Sequence, residues 1–208
     1  MRRLLFVDFD GTITSEETLE GAMSMFLPQD MMRDGVRKLM TGEWALKDAV
    51  TFAFDNIPSS RLPEIMEYVR KVPVREGFGD LLDEMEKLAI PVVVISGGLK
   101  PYVEEKMEPY LKKILDIYSL DVDTSGDYIK LISPYAGTTD LMDKPTVMKK
   151  YDYDCAICVG DGLTDIQMAR SSQVVFARGD LAKKLEEMKV PFTRWGDFHD
   201  VKRAIAEM

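Results

Sequence analysis

The sequence is poor in the residue types that stabilise small secreted proteins or bind nucleic acids. Its 208 residues include only two cysteines and one histidine, and acidic side chains outnumber basic ones by 36 to 27. Two cysteines cannot build a disulfide framework. A formal charge of −9 is the opposite of the basic face expected of a nucleic-acid-binding protein. Any anionic ligand would need a local positive centre, and a divalent cation is the obvious candidate.

Long hydrophobic runs are also absent. No stretch approaches the ~18 consecutive apolar residues of a membrane-spanning helix. The apolar start, Leu4 to Val7, is interrupted by Asp8 and is too short for the hydrophobic region of a secretory signal. We therefore expect a cytoplasmic protein that has neither a membrane nor a nucleic acid as its partner. The sequence does not determine the oligomeric state.

The two cysteines form a C-x-x-C pattern, which is typical of redox or metal sites. However, Cys155 and Cys158 lie in an apolar run that predicts a buried strand, and no second pair occurs elsewhere. We therefore interpret both as small buried hydrophobic residues.

Short apolar runs alternate with helical patterns along most of the chain. The runs predict strands buried on both faces, and a repeat such as Phe78, Leu81, Leu82, Met85 and Leu88 predicts a helix. Alternation of this kind predicts a Rossmann-like α/β fold, in which helices cover both faces of a doubly wound parallel sheet. The predicted strands are Leu4 to Val7, Pro91 to Ile95, Cys155 to Val159 and Val174 to Ala177, and the other predicted helices are Tyr102 to Leu115, Thr164 to Ser171, Leu181 to Met188 and Val201 to Met208.

One region interrupts this alternation. Residues 15–73 contain no good strand but show four short helical patterns, which predict a small helical cap inserted after the first strand. The catalytic core is then residues 1–14 plus 74–208. The four helices are expected to begin at a Thr14–Glu17 capping box, to cover Met31 to Met40 and Ala45 to Phe54, and to begin again at Ser60 and end before Pro73. A hairpin is expected over Ser119 to Ile132.

Two carboxylates follow the first predicted strand. Asp8 and Asp10 are two residues apart, so alternation along an extended segment places both side chains on one side. Unpaired, the two charges would repel, whereas a bound Mg²⁺, which prefers oxygen ligands, removes that conflict. A simple Asx turn that bends at Gly11 is the structural alternative.

Similar groups follow later strands. Asp161 and Asp165 flank a glycine turn that opens a helix, where they can bind a metal or only stabilise the helix dipole. Ser96-Gly97-Gly98 combines a hydroxyl with flanking backbone amides at the start of a helix, which suits a phosphate group but is also common in ordinary loops. Ligands in open α/β sheets bind at the carboxyl ends of the strands, so these groups can converge.

A lysine completes the set. The ammonium of Lys144 could neutralise a transferring phosphoryl group. The motifs Asp-x-Asp-Gly-Thr, Ser-Gly, a lysine and Gly-Asp-Gly-x-x-Asp, in this order, resemble those of the haloacid dehalogenase (HAD)-type phosphatases. The resemblance extends over the whole chain and includes a helical cap after the first strand.

The resemblance implies a Mg²⁺-dependent phosphomonoester hydrolase that acts on a small-molecule phosphate through an aspartyl-phosphate intermediate. Asp8 would be the nucleophile, and Asp10 would protonate the leaving oxygen and then activate water. The implied metal ligands are Asp8, the backbone carbonyl of Asp10 and Asp161, with Asp165 as a ligand or support. The implied contacts to substrate are Ser96, Gly97 and Lys144, together with Glu17.

Two subfamilies compete for the substrate. Glu17-Thr18 and Ser96-Gly97-Gly98 resemble phosphoserine phosphatases, but Thr51 to Phe54 lacks the arginine that those enzymes use for the serine carboxylate. The cap otherwise resembles the methionine-salvage phosphatases that act on 2-hydroxy-3-keto-5-methylthiopentenyl 1-phosphate, in Ile57-Pro58-Ser59-Ser60 and Arg75-Glu76-Gly77-Phe78. Members of that family have a cysteine-rich stretch before the lysine, and this chain has no cysteine there.

Further side chains are weaker candidates. Cap methionines could line a methylthio pocket, although packing within the cap is the expected role. Arg33, Arg37 and Lys100 are cationic candidates for substrate contacts, with a solvated surface as the expected alternative, and His199 is assigned no role. The methionines concerned are Met23, Met25, Met31 and Met32.

A broad-specificity phosphatase, a phosphomutase and a non-catalytic binding domain are the alternative functions, since fold alone does not fix function.

Overall fold

A seven-stranded sheet forms the centre of the protein in the computed structural model, which describes all 208 residues. The strand order is β4-β3-β2-β1-β5-β6-β7, and all neighbours are parallel except β3 and β4. The predicted α/β fold with a parallel sheet is therefore confirmed. No helix has both the length and the apolar character needed to cross a membrane. The strands are β1 (Arg3–Val7), β2 (Val92–Leu99), β3 (Asp116–Asp123), β4 (Lys130–Ile132), β5 (Cys155–Gly160), β6 (Val174–Ala177) and β7 (Thr193–Arg194).

Four helices are inserted between β1 and the next helix of the core: α1 (Thr18–Phe26), α2 (Gln29–Met40), α3 (Leu46–Phe54) and α4 (Leu62–Lys71). Two predicted helix starts are wrong. Thr14 Oγ1 bonds within the turn after β1, and α1 begins only after Glu17, which makes no capping bond. Ser60 lies in a 3₁₀ turn, Ser59–Arg61, which precedes α4.

Six helices complete the fold: α5 (Phe78–Lys87), α6 (Lys100–Met107), α7 (Lys144–Met148), α8 (Ile166–Arg170), α9 (Gly179–Glu187) and α10 (Phe198–Ala206). The predicted helix over Tyr102 to Leu115 ends early, because Pro109 cannot continue an α-helix and residues Glu108–Lys113 form a 3₁₀ helix. Likewise, the first turn of the helix predicted from Thr164 is a 3₁₀ turn.

Alternating side chains of the sheet supply two separate apolar layers. Leu5 and Val7 of β1 pack with α5, α6 and α10, whereas Leu4 and Phe6 pack with α7, α8 and α9. The two buried cysteines of β5 follow the same alternation, because Cys155 belongs to the first layer and Cys158 to the second. They face opposite sides of the sheet, so they cannot form a pair, and their interpretation as core residues is confirmed.

The predicted hairpin is present as β3 and β4, with Asp121 paired to Ile132. Its tip contacts the inserted helices through the backbone. Ile129 N donates to Ile57 O at 3.0 Å, and Ser59 N donates to Asp127 O at 2.9 Å. The inserted helices are therefore held against the core by strand-like hydrogen bonds as well as by side-chain packing.

Gly77 allows α5 and α10 to approach each other. Its φ is +79°, and an added Cβ would lie 2.7 Å from the backbone nitrogen of His199. Gly42 has a similar φ of +71° but open space around it. We predict that Gly42→Ala costs about 1–2 kcal/mol from its left-handed backbone. Gly77→Ala should cost roughly 1–3 kcal/mol more because of overpacking.

Urea unfolding of both variants measures this difference. Equal losses of unfolding free energy at the two positions would contradict the close approach at Gly77.

Candidate active site

Every side chain predicted to carry chemistry lies at the carboxyl edge of the central strands. Asp8 follows β1, Ser96 lies in the last half of β2, and Asp161 follows β5. Lys144 begins α7, and its side chain reaches the same edge. Three neighbouring parallel strands therefore bring together residues that are far apart in the sequence.

Lys144 joins two of these carboxylates. Its ammonium donates to Asp8 Oδ1 and, at 2.6 Å, to Asp165 Oδ1. All three residues are buried, with Lys144 2%, Asp8 4% and Asp165 0% exposed. Because a lone buried charge would be strongly unfavourable, each member of this triad depends on the others.

The charge states reflect this burial. Burial alone would lower the pKa of the Lys144 ammonium, but Asp165 and Asp8 outweigh it and hold that pKa above its usual value. Burial raises the pKa of Asp8, and the neighbouring Asp165 raises it further while Lys144 lowers it. One ammonium thus faces more carboxylate charge than it can neutralise.

The carboxylate of Asp10 makes no hydrogen bond with Lys144. It accepts hydrogen bonds from Thr18 Oγ1 and from Ser96 Oγ, the latter at 3.1 Å. Ser96 Oγ in turn accepts from the amide of Gly98 at 2.8 Å. The Ser96 hydroxyl therefore orients Asp10. Burial raises the pKa of Asp10, whereas the hydrogen bonds from Thr18 and Ser96 lower it.

Asp161 and Asp165 differ in how their oxygens are engaged. Asp165 Oδ2 accepts from the amides of Asp161 and Gly162 at 3.0 and 3.1 Å, and its other oxygen bonds Lys144. The carboxylate of Asp161 accepts only one hydrogen bond, from Thr12 Oγ1 to Oδ1 at 2.7 Å. Burial raises the pKa of Asp161 to about 6. Asp161 therefore has a free oxygen, whereas Asp165 has none.

Three carboxylates form a cluster that fits a cation. One oxygen from each of Asp8, Asp161 and Asp165 lies within 4.8 Å of the other two. An all-oxygen, negatively charged set is what a hard divalent cation requires. The side chain of Asp10 is not in the cluster, so a contribution from this residue would come from its backbone carbonyl.

The turn after β1 depends on Gly11. Its φ is +72°, and an added Cβ would lie 2.5 Å from Asp161 Oδ2 and 2.8 Å from Glu17 Oε1. Glu17 therefore extends over the site from the start of α1. Burial raises the pKa of Glu17 to about 8, with a further contribution from nearby carboxylates, of which Asp161 is the largest.

The two glycines after Ser96 have different surroundings. Gly97 borders the site cavity, and an added Cβ there would meet no atom within 4 Å. At Gly98, an added Cβ would lie 2.5 Å from the Tyr102 hydroxyl and 2.8 Å from Asp10 Oδ2. The second glycine of the Ser96-Gly97-Gly98 motif is therefore the one that the packing requires.

A cavity of about 60 Å³ lies beside Lys144, Gly97 and Thr164. The inserted helices contribute Lys47 to its lining, and the ammonium of Lys47 also donates to Gly137 O at 3.1 Å. Asp140 is the only acidic residue of the lining. The apolar lining residues are Leu19, Leu46, Val50, Leu141 and Met142.

None of the three weaker cationic candidates reaches this cavity. Arg37 pairs with Asp34, Lys100 pairs with Asp121, and Arg33 is exposed. The cap methionines do not line the cavity either. Met25 is 45% exposed, and Met23, Met31 and Met32 pack among α1, α2 and α3.

Sequence reasoning assigned no role to four side chains at the site, although three of them belong to the quoted motifs. Thr12, Thr18 and Arg75 contact the site through hydrogen bonds, and Lys47 lines the cavity. Thr12 and Thr18 are close to the Asp8–Asp10 motif and could have been found from that proximity. Arg75 belongs to the quoted Arg75-Glu76-Gly77-Phe78 pattern, but that pattern gives it no role, and nothing in the local sequence distinguishes Lys47 from a surface cation.

Comparisons with known proteins agree with this geometry. The family described as haloacid dehalogenase-like hydrolase matches residues 5–170. A protein of Microcystis aeruginosa, named 2-hydroxy-3-keto-5-methylthiopentenyl-1-phosphate phosphatase, is 33% identical over 204 residues and covers 97% of each chain. A protein of Lysinibacillus sphaericus with the same name is 30% identical over 222 residues, covering 100% of this chain and 96% of its own.

The fold is also similar to a solved phosphoserine phosphatase, described as a phospho-aspartyl intermediate analogue. The TM-score is 0.71, the identity 15%, and the coverage 98% of each chain. At this identity the likeness concerns the fold alone. The match over residues 5–170, the full-length relatives and the motif residues gathered at one sheet edge together show that the chain belongs to the haloacid dehalogenase-like hydrolase family.

Proposed function

We propose that the protein is a Mg²⁺-dependent phosphatase in which Asp8 takes the phosphoryl group from a small-molecule phosphate ester. The observation that carries this proposal is the buried contact of Asp8 with Lys144, within a cluster of three carboxylates. Such a site offers an oxygen nucleophile next to fixed positive charge, which phosphoryl transfer requires. The family and the names of its relatives support the same reaction class.

The two carboxylates after β1 divide the reaction. A carboxylate oxygen of Asp8 bonds to phosphorus as the bond from phosphorus to the ester oxygen breaks, and Asp10 gives its proton to that leaving oxygen. Asp10 then takes a proton from water, whose oxygen bonds to phosphorus and releases Asp8 and inorganic phosphate. The hydrogen bonds from Thr18 and Ser96 hold Asp10 in place for both steps.

Asp8 and Asp161, with the backbone carbonyl of Asp10, would hold the metal ion. The ion would neutralise charge on the carboxylates and on the phosphoryl group. Asp165 would serve as a support, because its oxygens are already engaged by Lys144 and by two backbone amides. Lys144 and Gly97 border the cavity and would contact the phosphoryl oxygens, and Glu17 would close the opposite side.

The cavity favours an uncharged apolar substrate tail. Half of its lining is hydrophobic, and Lys47 is its only cation besides Lys144. Phosphoserine carries a carboxylate and an ammonium, and an arginine fork for the carboxylate is absent from the lining. A methylthio-ketopentenyl phosphate has an apolar methylthio end and neutral oxygens that Lys47 could bind. We therefore propose this substrate class, which matches the names of the relatives, in a cytoplasmic enzyme.

Replacing the nucleophile should abolish turnover. We predict that Asp8→Asn releases no phosphate above background from any ester, because the amide cannot form the acyl-phosphate. Asp152→Asn, at an exposed carboxylate whose side chain is 79% accessible, should keep wild-type activity. Phosphate release with Mg²⁺ measures both. Turnover by Asp8→Asn would contradict the mechanism, whereas phosphoryl transfer to a second site of the substrate without phosphate release would indicate a mutase.

Removing one metal ligand should abolish the stabilisation of the folded protein by Mg²⁺. A ligand that binds only the folded state stabilises it by about 2.7 kcal/mol at 100 times its Kd. We predict that Mg²⁺ raises the Tm of the wild type and of Asp152→Asn, but not that of Asp161→Asn. Thermal unfolding with Mg²⁺ or EDTA measures this effect. A full Mg²⁺ shift in Asp161→Asn would show that the ion does not bind at this cluster.

The substrate proposal predicts a ranking of kcat/KM. A methylthio-ketopentenyl phosphate should exceed phosphoserine by at least about tenfold, because the carboxylate of the amino acid would be buried without an arginine fork and the half-apolar lining would face two charged groups. Sugar phosphates and p-nitrophenyl phosphate complete the panel. A higher kcat/KM for phosphoserine would overturn the substrate assignment, and equal values across the panel would indicate a broad-specificity phosphatase.

A further inference from the structure

The guanidinium of Arg75 donates hydrogen bonds to backbone carbonyls of the turn that follows the nucleophile. Nη2 donates to Gly11 O at 2.6 Å and to Thr14 O at 3.1 Å, and Nε donates to Thr12 O at 2.9 Å. The backbone amide of Arg75 adds a bond to Ile13 O at 2.7 Å. One residue thus holds four consecutive carbonyls of the segment that begins three residues after Asp8.

Arg75 lies where the chain returns from the inserted helices. Ser15 N donates to Pro73 O at 3.0 Å, and Thr14 pairs with Val74 in an isolated antiparallel bridge. The segments that enter and leave α1–α4 are therefore joined directly beside Arg75. Any movement of the inserted helices pulls on this junction and, without a fixed anchor, on the turn after Asp8.

Trp195 connects Arg75 to the other acidic segment. The guanidinium carbon of Arg75 lies 5.6 Å from the centre of the indole ring, within the range of a cation–π contact. The indole Nε1 donates to Gly160 O at 3.3 Å, directly before Asp161. Trp195 is buried at 5% exposure, so it cannot easily shift. Arg75 and Trp195 together form a continuous link, which we call the brace, from the Asp8 turn to the Asp161 loop.

We propose that Arg75 is a positioning residue that, through the brace, fixes the turn after Asp8 relative to Asp161. This inference rests on the proposed function, because the two segments carry the nucleophile and a metal ligand. Thr12 contacts both Arg75 and Asp161. Its carbonyl is held by Arg75 and its hydroxyl is bonded to Asp161. Without Arg75 the turn could move, and the Asp161 carboxylate, which bonds to Thr12 of that turn, would lose its fixed orientation.

Only arginine can make this set of contacts. Its planar fork presents several fixed N–H donors, whereas the ammonium of lysine is a compact point charge on a flexible stem. Arg75→Lys therefore keeps the charge and loses the geometry, and Arg75→Met loses both. Arg178 provides a matched control. Its guanidinium also lies over Trp195, at 5.2 Å, but it bonds to Gly196 O and not to the turn after Asp8.

The test compares Arg75→Lys, Arg75→Met and Arg178→Lys in the full-length protein. Turnover of p-nitrophenyl phosphate gives kcat and KM. The Mg²⁺ concentration that gives half of the maximal rise in Tm is measured without substrate, so it does not depend on activity. A Trp44→Phe background leaves Trp195 as the only tryptophan, whose emission then reports directly on the brace.

We expect Arg75→Met to lower kcat and to raise the half-effective Mg²⁺ concentration, each by roughly 10–100-fold, with little change in KM. The kcat and half-effective Mg²⁺ concentration of Arg75→Lys should lie between those of Arg75→Met and the wild type. Both values for Arg178→Lys should remain near the wild type. The emission of Trp195 should shift in the Arg75 variants. If Arg75→Met does not fold, Arg75→Lys carries the same test.

Two outcomes would overturn the proposal. A folded Arg75 variant with wild-type kcat and Mg²⁺ response would show that the turn does not need the brace. Equal losses in Arg75→Lys and Arg178→Lys would show that packing of a guanidinium on Trp195 matters and that the contacts of Arg75 with the turn do not. Failure of the proposed function is a separate result, because it would appear as a wild type that releases no phosphate from any ester.

Discussion

The site depends on one interaction, the buried contact of Lys144 with Asp8 and Asp165. Removing one partner from a buried ion pair typically costs about 3–5 kcal/mol, because the remaining charge is left without compensation. The triad also carries more negative than positive charge, and the nearby Asp161 adds to that excess. The fold thus holds a nucleophile in place and at the same time creates a strong need for a cation beside it. Both properties follow from the burial of Lys144, Asp8 and Asp165 beside the half-buried Asp161 at one sheet edge.

The sheet supplies that burial. Because β1, β2 and β5 are parallel neighbours, their carboxyl ends place Asp8, Ser96 and Asp161 side by side. Thr18 at the start of α1, Lys144 at the start of α7 and Asp165 directly before α8 provide further contacts. The inserted helices cover the edge and contribute Lys47 and Glu17, and the hairpin tip holds them there through backbone hydrogen bonds. The core sheet therefore positions Asp8, Ser96 and Asp161, whereas Lys47 and Glu17 are positioned by the packing of the inserted helices against that sheet.

This division explains what the sequence could predict. Apolar runs identify β1, β2, β5 and β6 because those strands are buried on both faces, and the acidic motifs follow them directly. The two-residue β7 carries no such signal. The capping-box pattern at Thr14 failed because the Thr14 hydroxyl bonds within the tight turn instead of capping α1. Lys47 and Arg75 contact residues that are distant in the sequence, so their contacts could not be predicted from local patterns, even though Arg75 belongs to the Arg75-Glu76-Gly77-Phe78 pattern.

The central claim is that Asp8 becomes phosphorylated. The most direct test is to quench a reaction of the wild-type protein, Mg²⁺ and a turned-over ester within the first turnover, and to reduce the product with borohydride. An acyl-phosphate is reduced to the alcohol, so peptide mass spectrometry should find homoserine at position 8, only when ester and Mg²⁺ are both present. Phosphate release without modification at position 8, or with modification of another carboxylate, would contradict the account.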